Sequence, residues 1–235
     1  MDHDHGHSGD GATAQAELEA LVARVPLFAG LTPAQISEIA SRVRPRVVPR
    51  NEQLYGAGDI NPYLRIIHTG AVKVYRITES GHEQVIRVLG AGEFLGEKAV
   101  ISPSASDHFA VTLEESEICS LGHEDMRSYL LRYPSVAFTM LETLSARLGT
   151  TEEQVSSMTG EDAATRVADY LVGLADEYHR SSFSLPISKK DVASYLGLTP
   201  ETLSRRLAGF EDNGWIHLHG TRRVDILDLE ALRLV

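Results

Sequence analysis

The chain has 235 residues, 43% of them hydrophobic and 23% charged, with a formal net charge of -11. A mean hydropathy of -0.13 and no run near the ~18 apolar residues of a bilayer helix exclude a helical membrane protein and predict a soluble, cytoplasmic chain of one or two domains. The single cysteine, Cys119, excludes an internal disulfide framework and an intrachain all-cysteine iron–sulfur cluster.

Residues 1–16 are mostly Gly, Ala, Ser, His and acidic residues, with little to bury, and are predicted to be a disordered His-rich tail. It is acidic and lacks the apolar stretch of a secretory signal. His3, His5 and His7 alternate with carboxylates and glycine there, a ligand set that Zn, Ni or Cu would accept. A solvated polar tail is the plainer reading. Leu18, Leu21, Val22 and Val25 then mark an amphipathic segment, and Thr32-Pro33 reads as N-cap and first residue of a short helix ending at Ala40.

From Val47 to about Leu121 the pattern is short β-rich runs cut by glycine turns. Ala71–Ile77 alternates, Glu79-Ser-Gly81 turns, and Glu83–Leu89 returns, as in a hairpin of an all-β barrel. Residues 17–132 are therefore predicted to be a β-barrel sensor domain. Beyond Pro134, Ala137, Leu141, Leu144, Leu148, Thr151, Val155 and Met158 repeat at alternating spacings of four and three. That heptad stripe, within a helix over 133–160, predicts a seam for a second copy of the chain; the plainer alternative is one helix packed on its own barrel.

Residues 161–235 read helix, helix, turn, helix, hairpin. Ser188 caps one short helix, Gly197 turns, Thr199-Pro200 opens the next, and the run from Trp215 to Ile226 alternates about His219-Gly220. This is a winged helix-turn-helix. Only the amino end of a recognition helix enters the major groove, and Glu201, Ser204 and Arg205 share one face there. Arg takes guanine bidentately, Glu accepts from cytosine, and Ser bonds either way. Ser188, Lys189, Thr199, Thr202, Thr221 and Arg222 are the candidate phosphate contacts. Although the whole chain is acidic, residues 188–223 hold 6 basic against 4 acidic side chains. His217-x-His219 has the spacing of a metal pair, but its place in the hairpin assigns it to the wing.

The segment Leu198-Thr-Pro-Glu-Thr-Leu-Ser-Arg205 resembles the recognition helix of the CRP/FNR family of bacterial transcription regulators. Leu27-Phe-Ala-Gly-Leu31 and Gly92-Glu-Phe-Leu-Gly-Glu97 resemble that family's opening and barrel motifs, and the likeness extends from about residue 18 to the carboxy end. It implies an α+β architecture: a cyclic-nucleotide-binding-like β-barrel (a double-stranded β-helix), a long dimerisation helix and a carboxy-terminal winged helix-turn-helix. It also implies a homodimer on palindromic double-stranded DNA, with RNA polymerase as a further partner. The Glu-Thr-x-Ser-Arg form resembles the FNR branch and its TTGAT-type half-sites.

Two departures bear on the effector. Cyclic-nucleotide binders of the family carry an Arg followed by Ser or Thr after the Gly-Glu segment, where this chain has Ser106-Asp107-His108-Phe109-Ala110. An acidic group there opposes a cyclic phosphate, so cyclic AMP is not the expected ligand. The amino-terminal cluster cysteines of the FNR branch are missing, and only Cys119 matches the barrel cysteine. It is either a redox switch or a small buried strand residue. Haem and a tail-bound metal stay open as cofactors. Two rivals are a cupin-like metalloenzyme, which the unpaired His68, His82 and His108 disfavour, and a cyclic-nucleotide sensor using Arg65 or Arg87. The expected function is a non-enzymatic DNA-binding transcription regulator.

Overall fold

In a computed structural model, residues 8–101, 104–160 and 162–235 are described. Helix α1 (Ser8–Ala23) leads into a 3-10 turn (Pro26–Phe28) and helix α2 (Pro33–Ala40). Thr32 forms a full capping box with Gln35 at the start of α2, as its sequence requires. The start of α1 at Ser8 corrects the tail boundary drawn at residue 16. Alanines and Gln15 carry the helix back from its anchored end, where Val22 is buried. Gln15 donates to Glu19 (3.1 Å), and Ser37 of α2 donates to the same Glu19 oxygen (2.6 Å).

Eight short strands follow: β1 (Arg44–Val48), β2 (Gln53–Tyr55), β3 (Tyr63–Thr69), β4 (Val72–Ile77), β5 (Glu83–Leu89), β6 (Phe94–Leu95), β7 (Phe109–Thr112) and β8 (Ser116–Gly122). They form two four-stranded sheets, ordered β1-β8-β3-β6 and β2-β7-β4-β5. A short α3 (Glu97–Ile101) interrupts them. Gly96, at φ +90°, precedes it, and any Cβ there would collide with the Tyr63 carbonyl oxygen. The barrel glycine is thus a packing requirement.

Alternation along β3 and β8 drives Leu64, Ile66, Cys119 and Leu121 into one core. Phe94, Ile39, Met126 and Tyr129 join it from β6 and the flanking helices. Helix α4 (His123–Arg132) precedes the long α5 (Pro134–Gly160). Arg132 and Tyr133 clamp Glu38 at 2.6 Å and 2.5 Å.

The carboxy-terminal elements are α6 (Ala163–Tyr178), β9 (Ser182–Ser184), α7 (Lys189–Tyr195), α8 (Pro200–Asp212), β10 (Ile216–His219), β11 (Arg223–Ile226) and α9 (Leu229–Arg233). The hairpin is really three strands, ordered β10-β11-β9.

Contacts divide the chain into two compact units. One comprises the residues through Val74 together with Val88–Ala146; the other is Tyr75–Arg87 with Arg147–Val235. Within the second unit, Ser194 of α7 accepts the Val85 N–H (2.9 Å) and donates to the Glu83 carbonyl (2.8 Å). The division falls within α5, which spans Pro134–Gly160 where a long helix was expected over 133–160.

Candidate nucleic-acid interface

The helix-turn-helix is assembled from local signals. Ser188 Oγ accepts the Asp191 N–H (3.1 Å) and starts α7. Fully buried Ala193 permits close helix packing, and its carbonyl accepts the Leu198 N–H (2.8 Å) across a turn in which Gly197 has φ +65°. Thr199 Oγ1 accepts the Thr202 N–H (3.2 Å), with Pro200 in the first turn of α8. Leu203, Leu207 and Phe210 turn inward, which leaves Glu201, Ser204 and Arg205 exposed on the opposite face. Arg205 donates to Thr202 Oγ1 (3.2 Å), while its neighbour Arg206 is drawn to Asp162 (2.9 Å). A long cationic side chain, a carboxylate and a hydroxyl therefore stand together where a helix meets base edges.

Of the predicted phosphate contacts, Ser188, Thr199 and Thr221 are exposed, and Lys189 and Thr202 half-buried. Arg222 is a correction. It is turned back on the protein, donating to the Pro186 carbonyl (2.8 Å), while its own carbonyl accepts the Leu185 N–H (2.9 Å). In this arrangement the guanidinium ties the turn to the segment that follows β9. Its neighbour Arg223 is the outward cation, bonded to Ser182 Oγ (3.0 Å) and 3.6 Å from Asp225.

The wing also holds a polar network that no local pattern announced, because its members are brought together by strand pairing. His219 lies 2.7 Å from Asp225, and His217 lies 3.0 Å from Glu211 of α8. The two imidazoles meet edge to face with centroids 4.3 Å apart. The Ser182 hydroxyl and then His219 hold the Asp225 carboxyl below the usual carboxylate range.

Along α5 the stripe splits by depth. Leu141, Leu148 and Val155 are 63%, 58% and 58% exposed, with Phe138 beside them, and Thr151 is exposed with its hydroxyl bonded to the Arg147 carbonyl (2.8 Å). Leu144 instead packs on the barrel core. The Met158 side chain lies outside the described residues, as do His3, His5 and His7.

In the barrel, Asp107 bonds His108 Nδ1 (2.9 Å), and His108 Nε2 meets the Tyr55 hydroxyl (3.0 Å). The His108 bond lowers the Asp107 carboxyl below its ordinary range, so the group that replaces the family's arginine stays anionic. Arg65 donates to Asn61 Oδ1 and lies over the Tyr55 and Tyr63 rings at 5.6 Å and 5.8 Å. Cys119 is 1% exposed, and burial pushes its thiol up to about 12. That state is the inert one, so the redox reading gives way to the buried strand residue. Among the described residues, no group of three or more His, Cys, Asp or Glu side chains could hold a metal ion. Nor is any helix among them long and apolar enough to cross a membrane.

A winged helix-turn-helix joined in one chain to a two-sheet β-barrel defines a DNA-binding transcription regulator that carries its own sensor-type domain. Comparison with known proteins agrees. Residues 45–133 match the cyclic nucleotide-binding domain and residues 165–235 the Crp-like helix-turn-helix domain. A CRP-like cAMP-activated global transcriptional regulator of Mycobacterium tuberculosis is 27% identical over 220 residues, covering 92% of this chain and 98% of that one. The fumarate and nitrate reduction regulatory protein of Salmonella typhimurium is 29% identical over 203 residues, covering 84% and 80%. The solved structure of FixK2 from Bradyrhizobium japonicum shares the fold with a TM-score of 0.73 at 22% identity, covering 82% of this chain and 96% of that one. The chain belongs to the CRP/FNR family of transcription regulators.

Proposed function

We propose that the protein is a cytoplasmic, non-enzymatic homodimer that binds a palindromic TTGAT-like promoter site and answers to a signal other than cyclic AMP. Glu201, Ser204 and Arg205 read bases. Ser188, Lys189, Thr199, Thr202 and Thr221 hold phosphates, with Arg223 taking the place first given to Arg222. The observation that carries this reading is the exposed face of α8, where those three base-reading side chains stand at the amino end. The exposed leucines of α5 support a second copy as the partner of that seam. RNA polymerase is the further partner of such a regulator at a promoter.

Against cyclic AMP stands the anionic Asp107, even though the Mycobacterium relative is named as cAMP-activated. The test is fluorescence anisotropy of a TTGAT–ATCAA duplex beside a scrambled duplex at the same salt, with no effector added. Selective, tight binding supports the reading. Equal binding to both duplexes refutes the half-site.

A further inference from the structure

The recognition helix carries its base-reading face at one end and a second, unassigned feature at the other. Glu211, near the carboxy end of α8, reaches the open edge of the wing. In the order β10-β11-β9, β10 has no strand on its outer side. Its register with β11 pairs Ile216 with Ile226, His217 with Asp225, and Leu218 with Val224. On the unpaired side the Leu218 N–H donates to Glu211 Oε1 at 2.8 Å. The same oxygen lies 3.0 Å from His217 Nδ1. One carboxylate thus satisfies an edge amide that would otherwise face solvent, and stands within ion-pair distance of the imidazole beside it.

We propose that Glu211 is a positioning residue that sets the wing against the recognition helix, and that His217 makes this hold depend on protonation. With His217 neutral, Glu211 keeps its bond from the Leu218 amide and no charge partner at His217. Proton uptake by His217 turns the 3.0 Å contact into an ion pair. A cationic imidazole on the wing also favours nearby phosphates, so both effects act in the same direction.

The charged and titratable groups around the imidazole pair are accounted for on each packed element. Glu211 and the exposed Asp212 come from α8, Asp225 and Arg223 from β11, and His219 from β10 itself; β9 adds only the uncharged Ser182. Asp225 is already shared between Ser182 and His219, which leaves Glu211 as the carboxylate within ion-pair distance of His217.

The test uses the full-length protein and a duplex recovered by its own selection from random DNA, so that an incorrect half-site cannot pass for a failure of the wing. Dissociation constants are measured at fixed salt from pH 8 to pH 6 for the parent chain, Glu211→Gln, Glu211→Ala, His217→Gln and His219→Gln. The parent tightens about two- to fivefold on acidification, the range of one partly exposed charge pair. Glu211→Gln retains an acceptor for Leu218 and tightens less than the parent on acidification, because only the attraction of His217 to phosphates is left, and His217→Gln loses the tightening. Glu211→Ala leaves the amide bare and binds more weakly at both pH values, and His219→Gln retains the share of the profile that His217 supplies. Circular dichroism melting confirms that each variant is folded. A Glu211→Gln profile identical to the parent, a parent with no profile, or parent-like binding by Glu211→Ala overturns the proposal.

Discussion

On the proposed homodimer, replacing Leu141 and Leu148 together by glutamate should leave a monomer. In the single chain these side chains are 63% and 58% exposed, so a partner helix has more than half of each left to cover. Full burial of a leucine contributes about 1.5–3 kcal/mol, and covering the remaining part about 1–2 kcal/mol. Two leucines from each of two chains give about 4–8 kcal/mol, or roughly three to six powers of ten in the dimer dissociation constant. Glutamate removes this and places like charges across the seam. Sedimentation equilibrium at micromolar protein reads the mass directly, and far-UV circular dichroism checks that helix content is kept, as exposed positions should allow. A double variant that still sediments as a dimer at the same concentration would refute the seam, whatever its DNA affinity.

Arg205→Ala should cost about 1–3 kcal/mol on the selected duplex and relax preference at one base pair; a uniform loss on all sequences, measured by anisotropy, would reduce Arg205 to a phosphate contact. Isothermal titration of the parent with cyclic AMP should give no saturable heat, and Asp107→Arg should raise affinity for the nucleotide; saturable binding by the parent would show that the barrel tolerates a phosphate beside Asp107. Cys119, with its thiol pushed up to about 12 by burial and then by Glu117, should resist alkylation at pH 8 in the folded protein and react once denatured; rapid labelling of the native chain would restore the redox reading. His68 and His123 are both held below the ordinary histidine value of 6.5, chiefly by burial. The unfolded chain therefore binds protons at higher pH than the folded one, so stability falls as pH drops through 6.5 toward the folded values. His68→Gln should flatten that slope in urea titrations at pH 7.5 and 5.5, and an unchanged slope would assign it elsewhere.

The elements readable from sequence were those specified by neighbours in the chain. Thr32-Pro33, Ser188, Gly197 and Thr199-Pro200 each fix a terminus or turn through bonds spanning three to five residues, and all appear where their chemistry places them. The outward face of α8 followed from helical spacing alone. What escaped depends on distant partners. Strand β9 has three residues and exists through its pairing with β11, about forty positions away. Arg222 faces inward because β9 passes beneath the turn, and Glu211 acquires a role only when β10 folds back beside α8. The heptad stripe was legible as a stripe, yet its periodicity could not say that Leu144 packs on the barrel while Leu141 and Leu148 stay exposed.

Family membership narrows the fold far more than it narrows the signal. A cyclic-AMP-activated regulator and a fumarate and nitrate reduction regulator match at 27% and 29% identity, so overall likeness cannot choose between their inputs. The choice falls to a few barrel side chains. A phosphate about 4 Å from Asp107 meets about 1 kcal/mol of repulsion even in water-like surroundings. It also forgoes the charge-assisted bonds of an arginine, about 1.5–3 kcal/mol each. Those terms add in the same direction, and His108 strengthens the opposition by keeping Asp107 ionised. The line from Asp107 through His108 to Tyr55 has cations at its flanks, with Lys98 Nζ 3.7 Å from Asp107 and the Arg65 guanidinium 5.6 Å over the Tyr55 ring. An anion meets Asp107 itself at a disadvantage that has to be offset by those neighbouring cations.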